Sequence, residues 1–149
     1  MSHDELVELA FSMLERAYVP YSKFPVGAAL LCKDGSVFTG CNVENAAYGS
    51  TICAERTALV KAVSEGHRDD FQVLAVAGNS DDYCWPCGAC RQMLFEFCPD
   101  LTVLVARGDG DYVTLPLKQL LPHGFGPTTL SPAPGYPPNP SGPPEGFLL

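Results

Sequence analysis

Short apolar runs of strand length alternate along this chain with longer segments of helical spacing, and that alternation most limits its fold. Between Asp4 and Arg16, Leu6, Leu9, Ala10, Met13 and Leu14 recur at helical spacing and predict one buried stripe. Pro20 and Pro25 bracket a loop, after which Val26 to Cys32 and Val37 to Val43 read as strands. The Asp34-Gly35 pair between them predicts a hairpin. Glu44 to Ser50 reads as a loop, with Thr51 as cap of a helix from Ile52 to about Glu65 that Gly66 ends. Val73 to Ala77 is an expected strand, and Asn79 to Trp85 a loop. Pro86 suits the first turn of a helix reaching about Phe97. Leu101 to Ala106 and Tyr112 to Leu115 complete the strands, and Leu117 to Leu121 reads as a short helix. This order implies an α/β fold with helices on the faces of one sheet, and the hairpin makes that sheet mixed.

The 149 residues suit one catalytic-sized domain, and a 46% apolar content is enough for a real core. The formal net charge of -8 argues against a nucleic-acid partner, because phosphate binding rests on a basic footprint. No apolar run reaches the roughly 18 residues of a membrane span. The start, Met1-Ser2-His3-Asp4-Glu5, lacks the features of a signal peptide, so a cytoplasmic location is expected. From Pro127 onward proline and glycine dominate and charge nearly vanishes. The domain is therefore placed at residues 1–130, with 131–149 an expected disordered tail that has too little to bury. A proline-rich ligand for a partner domain is the alternative use of that tail.

Seven cysteines in a reducing compartment do not suggest a disulfide framework. Cys32, Cys41 and Cys98 read as small buried hydrophobes. Cys87 and Cys90, three apart at an expected helix start, share one face and meet a positive helix end that favours thiolate. They form half a metal site, and Cys53, at the start of the other central helix, can supply a third sulfur. Three ligands leave tetrahedral zinc one open position, as in catalytic sites, where bound water is acidified. Glu55, two residues after Cys53, can reach that position without being a ligand. Cys-x-Glu followed by Pro-Cys-x-x-Cys is nearly the signature of zinc deaminases.

The resemblance extends beyond that signature. From about Tyr18 to Leu130 the chain resembles the small, homotetrameric cytidine deaminases. Tyr21-Ser22-Lys23-Phe24-Pro25-Val26-Gly27-Ala28-Ala29 and Gly40-Cys41-Asn42-Val43-Glu44-Asn45-Ala46-Ala47-Tyr48 carry it first. Ile52-Cys53-Ala54-Glu55-Arg56-Thr57-Ala58, Pro86-Cys87-Gly88-Ala89-Cys90-Arg91-Gln92 and the segment around Phe125 carry the rest. The resemblance implies a three-layer α/β/α fold with a mixed sheet of about five strands. It implies hydrolytic deamination of free cytidine and deoxycytidine to uridine and deoxyuridine, with ammonia released.

By the same resemblance one Zn²⁺ per chain is held by Cys53, Cys87 and Cys90, and Glu55 shuttles protons. Asn42 and Glu44 match groups that hold the ribose hydroxyls, Phe24 an aromatic on the pyrimidine, and Ala54 a further substrate contact. Arg56 matches an arginine beside the sulfurs, where three thiolates and Zn²⁺ sum to one negative charge and a guanidinium offsets it. Tyr48 and Phe125 match segments that reach a neighbouring subunit's pocket, so a homotetramer with shared sites is expected. The partners implied are a small nucleoside and other copies of the chain, with no nucleic acid and no membrane.

Cys84 and Trp85 depart from the pattern, since the family commonly has a small hydroxyl residue just before the proline. They keep two rivals open. Cys84-Trp85-Pro86-Cys87 resembles a thioredoxin-type redox centre, and Cys84 as a fourth ligand would close a purely structural zinc site. Blasticidin-type deaminases share the cysteine pattern, but Phe24, Asn42 and Glu44 together favour an ordinary nucleoside.

Overall fold

Strand-to-strand pairing explains how distant cysteines come to share one edge of this molecule. The computed structural model describes residues 1–130; the expected tail at 131–149 lies outside them. The chain runs α1 (His3–Ser12), β1 (Val26–Cys32), β2 (Val37–Cys41), α2 (Ala54–Ser64), β3 (Phe71–Gly78), α3 (Gly88–Phe97), β4 (Thr102–Ala106), β5 (Tyr112–Pro116) and α4 (Leu117–Leu120). Short 3₁₀ turns follow α1 at Met13–Arg16 and occupy Tyr48–Ser50 and Pro127–Leu130. The last of these is ordered structure where the composition suggested the tail already began.

The five strands lie in the order β2-β1-β3-β4-β5. The β1–β2 hairpin is antiparallel, as the Asp34-Gly35 turn predicted, and Gly35 takes a φ of 91° there. β1 is also antiparallel to β3, β3 is parallel to β4, and β4 is antiparallel to β5. The sheet is mixed and both faces are covered. Ala28, Leu30, Val103 and Val105 point into a core with Ala58 and Leu59 of α2, Leu94 of α3 and Leu117 of α4. Their sequence neighbours Ala29, Leu31, Leu104 and Ala106 point to the other face, where Leu6, Val7 and Ala10 of α1 cover them. This is the three-layer arrangement.

Several element ends differ from the sequence expectation for local reasons. α1 begins at His3 because Ser2 and Glu5 form a reciprocal capping box: Glu5 N donates to Ser2 Oγ at 3.1 Å and Ser2 N to Glu5 Oε2 at 2.7 Å. β2 stops at Cys41, and Val43 instead exchanges backbone hydrogen bonds with Ile52 at 3.0 Å each way. That bridge holds Ile52 extended, so Thr51 does not cap α2; Cys53 is the N-cap. At α3 the N-cap is Cys87, so Pro86 lies just before the helix rather than in its first turn. Gly66 ends α2 with φ 96°, as expected.

Candidate active site and metal centre

The sheet brings the two cysteine-bearing helix starts together. Cys41 at the end of β2 is paired with Gly27, and Gly78 at the end of β3 with Val26. Both strands therefore finish beside the beginning of β1, and α2 and α3 start from that same edge. Cys53 and Cys87 are the two N-caps, yet neither sulfur accepts a capping hydrogen bond from its helix backbone. They face each other instead: Cys53 Sγ lies 3.7 Å from Cys87 Sγ, and Cys87 Sγ lies 3.5 Å from Cys90 Sγ. All three sulfurs lie within 4.8 Å of one another.

Within the trio the negative charge settles on Cys53. Hydrogen bonding from Cys90 draws its pKa down to about 5, and contacts from Arg56 and Cys87 add to this against the effect of burial. Cys90, the partner that keeps the proton, is pushed up by that bond and by burial. Arg56 Nη2 lies 3.4 Å from Cys53 Sγ and 3.5 Å from the Thr51 carbonyl oxygen, and the sulfur holds the guanidinium charged. Its Nε is buried without a hydrogen-bond partner among the described residues.

Glu55, the second residue of α2, is 3% exposed. Burial pushes its carboxyl above the ordinary carboxylate range; its own backbone N–H opposes this and the Cys53 sulfur reinforces it. A carboxyl whose pKa is raised holds its proton more readily, which suits it to repeated transfers.

A cavity of ≈ 270 Å³ opens over this group and is lined by Phe24, Asn42, Glu44, Cys53, Ala54, Glu55 and Cys87 among others. Glu44 uses one oxygen, Oε1, to accept the backbone N–H groups of Tyr21 and Ser22 at 3.0 Å each. The bonds from Ser22 hold its carboxyl below the usual range, so it is an anion with Oε2 still available. Asn42 does a job the sequence did not reveal. Its Oδ1 accepts Val26 N at 2.9 Å and its Nδ2 donates to Phe24 O at 2.8 Å, fixing the loop that carries Phe24.

Cys84 and Trp85 also line the cavity, as do Ser22 and Val26, which the sequence reading passed over within a longer motif. Ser22 Oγ accepts Phe24 N at 3.0 Å. Cys84 stands apart from the sulfur trio. Burial pushes its thiol up to about 12, with Glu55 and Cys53 adding to the effect. Lying outside the trio, this sulfur offers no fourth ligand to it. All seven cysteines are free.

Tyr48 and Phe125 do not enter this cavity. Tyr48, 74% exposed, borders an adjoining hollow of ≈ 430 Å³ with Tyr21, Ser22, Glu44 and Thr51. Phe125 is 52% exposed, and its carbonyl accepts Gln92 Nε2 at 2.8 Å.

Residues 1–106 match the family model of the cytidine and deoxycytidylate deaminase zinc-binding region. The chain belongs to this family. A cytidine deaminase of Sporosarcina psychrophila is 48% identical over 132 residues, covering 88% of this chain and 96% of the relative. One from Halalkalibacterium halodurans is 51% identical over 126 residues, covering 84% and 95%. Among solved structures, the cytidine deaminase of Burkholderia pseudomallei superposes with a TM-score of 0.82 at 48% identity, covering 84% of this chain and all of that one. A blasticidin-S deaminase of Bacillus cereus is 32% identical over 125 residues, covering 79% and 88%.

The sulfur trio fits the zinc that this family's region is named for. Tetrahedral zinc with Zn–S bonds of about 2.3 Å separates its sulfurs by roughly 3.8 Å. The observed separations of 3.5 and 3.7 Å need little adjustment.

Proposed function

We propose that this member of the deaminase family removes the amino group of free cytidine and deoxycytidine, giving uridine or deoxyuridine and ammonia. The observation that carries the reading is a buried carboxyl, Glu55, beside three sulfurs that converge under one nucleoside-sized cavity. Cys53, Cys87 and Cys90 would hold one zinc ion, and Arg56 would offset the excess negative charge of the thiolates. When bound, the ion supplies Lewis acidity that makes water nucleophilic near neutral pH.

The chain's own residues do the rest. Phe24 offers a face for the pyrimidine, and Ala54 lines the wall beside the ring. The free oxygen of Glu44 accepts a ribose hydroxyl, with Asn42 holding the loop and adding polar contact. Glu55 takes a proton from the attacking water and delivers it to ring N3, which makes C4 electrophilic. After water oxygen bonds to C4, Glu55 passes the second proton to the amino group, the C4–N bond breaks and ammonia leaves. The water supplies the oxygen gained at C4 and two protons, one kept on N3 of the product and one leaving with ammonia, so the reaction balances.

Tyr48 and Phe125, exposed and outside this chain's own cavity, support a homotetramer in which they complete a neighbour's site. Seven unpaired thiols support a cytoplasmic location. No helix among the described residues is long and apolar enough to cross a membrane.

Substrate comparison tests the reading. Cytidine, deoxycytidine and their monophosphates should be offered to the zinc-loaded protein, with the products resolved by chromatography. Both nucleosides should be converted and the monophosphates spared, because the Glu44 anion faces the sugar side. Preferential turnover of a monophosphate would overturn the nucleoside assignment.

A further inference from the structure

At the opposite end of the strands, away from the cavity, a different donor cluster gathers. Cys32 ends β1, Asp34 lies in the hairpin turn, and His67 and Asp70 belong to the connection between α2 and β3. One donor atom from each of the four lies within 4.8 Å of the others. The set is mixed: a sulfur, an imidazole nitrogen and two carboxylates.

Its internal bonding leaves the right atoms free. Asp70 Oδ2 and His67 Nδ1 are 2.8 Å apart. With the proton on Nδ1, the imidazole is oriented and presents its Nε2 lone pair, the arrangement that commonly fixes a metal-binding histidine. Nε2 faces Asp34 Oδ2 at 4.0 Å, too far for a hydrogen bond. Two light-atom ligands on one tetrahedral zinc are about 3.4 Å apart, so a small side-chain movement closes the difference. Asp34 Oδ1 is occupied by Ser36 N at 2.8 Å, which sets the turn and leaves Oδ2 turned to the cluster. Asp70 Oδ1 is buried with no hydrogen-bond partner among the described residues. A buried carboxylate oxygen without a partner is costly, and the charge of a nearby cation would offset that cost. Cys32, 1% exposed, forms the floor, and the Phe38 ring packs edge-on to His67 at 5.1 Å as a wall.

We propose that Cys32, Asp34 and His67, the last oriented by Asp70, form a second divalent-cation site, separate from the Cys53, Cys87 and Cys90 centre. One soft sulfur, one imidazole and a hard oxygen suit a borderline first-row ion such as Zn²⁺ or Co²⁺. Three protein ligands, with the imidazole oriented by Asp70, would hold the ion between two segments of the chain. It clasps the β1–β2 turn to the segment that leads into β3, which Lys33 N already joins by donating to Asp70 O at 2.7 Å.

Cobalt titration of the zinc-loaded protein tests this. One further equivalent of Co²⁺ per chain should bind and give near-ultraviolet sulfur-to-cobalt absorption. His67→Ala and Asp34→Asn, both on the periphery, should each weaken that binding at least tenfold while leaving cytidine turnover unchanged. Cys32→Ser should remove the absorption. In a Cys87→Ser background the cobalt equivalent at this second cluster should persist, so failure of the proposed catalytic centre would not mimic failure here. No cobalt uptake beyond the first centre would overturn the proposal, as would uptake unchanged in both His67→Ala and Asp34→Asn.

Discussion

Glu55 is the residue on which the proposed chemistry turns, because one buried carboxyl must accept and deliver protons in succession. Glu55→Gln keeps the shape and removes that capacity. It should retain zinc and the fold while losing at least about 10²–10⁴-fold in turnover, the usual contribution of a general acid–base group. Turnover within a fewfold of the unaltered protein would remove Glu55 from this role. The sulfurs give a paired test. Cys84→Ser should keep zinc and activity, since that thiol lies outside the trio, whereas Cys87→Ser should lose both. Metal analysis showing zinc lost on replacing Cys84 would favour a closed structural site. The cysteines and Glu55 were legible in the sequence because each half of the site is contiguous and has a characteristic spacing. The work of Asn42 was not, because its partners Phe24 O and Val26 N are brought to it only by the return of the chain into β1. The His67 and Asp70 pairing with Cys32 was equally hidden, since only β1–β3 pairing makes Cys32 a neighbour of Phe71.

At the level of elements, β2 and α2 approach too closely for any side chain between them. A Cβ on Gly40 would collide with the Ala54 carbonyl oxygen and the Ala58 nitrogen of α2. Gly40→Ala should therefore push α2 outward and cost about 1–3 kcal/mol, the usual range for overpacking. Because α2 carries Cys53 and Glu55 at its start, activity should fall along with the denaturation midpoint. Unchanged stability with full activity would show that the contact yields more easily than it looks. The alternation of strands and helices was readable from apolar spacing alone, and the Asp34-Gly35 hairpin from its turn residues. Helix starts were not. Thr51 and Pro86 are good local signals, but the Val43–Ile52 bridge and the facing sulfurs place the caps at Cys53 and Cys87. Local preference yielded to long-range pairing at both positions, and both border the candidate site.

For the whole molecule, large aromatic side chains remain exposed around the cavity and beyond it, among them Tyr21, Tyr48, Trp85 and Phe125. Such exposure fits surfaces that neighbouring copies cover. Light scattering should report about four times the 16.0 kDa chain mass. Dilution to the point of dissociation should abolish turnover, and Phe125→Ala should impair it although this ring does not line its own chain's cavity. A fully active monomer would contradict shared sites. The central claim, that zinc and these residues together deaminate a free nucleoside, is tested most directly by the loss of cytidine absorbance before and after chelation. The zinc-loaded protein should consume cytidine with stoichiometric release of ammonia, lose that activity when a chelator strips the metal, and regain it when zinc is returned. Absence of conversion by zinc-loaded protein, or undiminished conversion once metal analysis shows the zinc gone, would contradict the account.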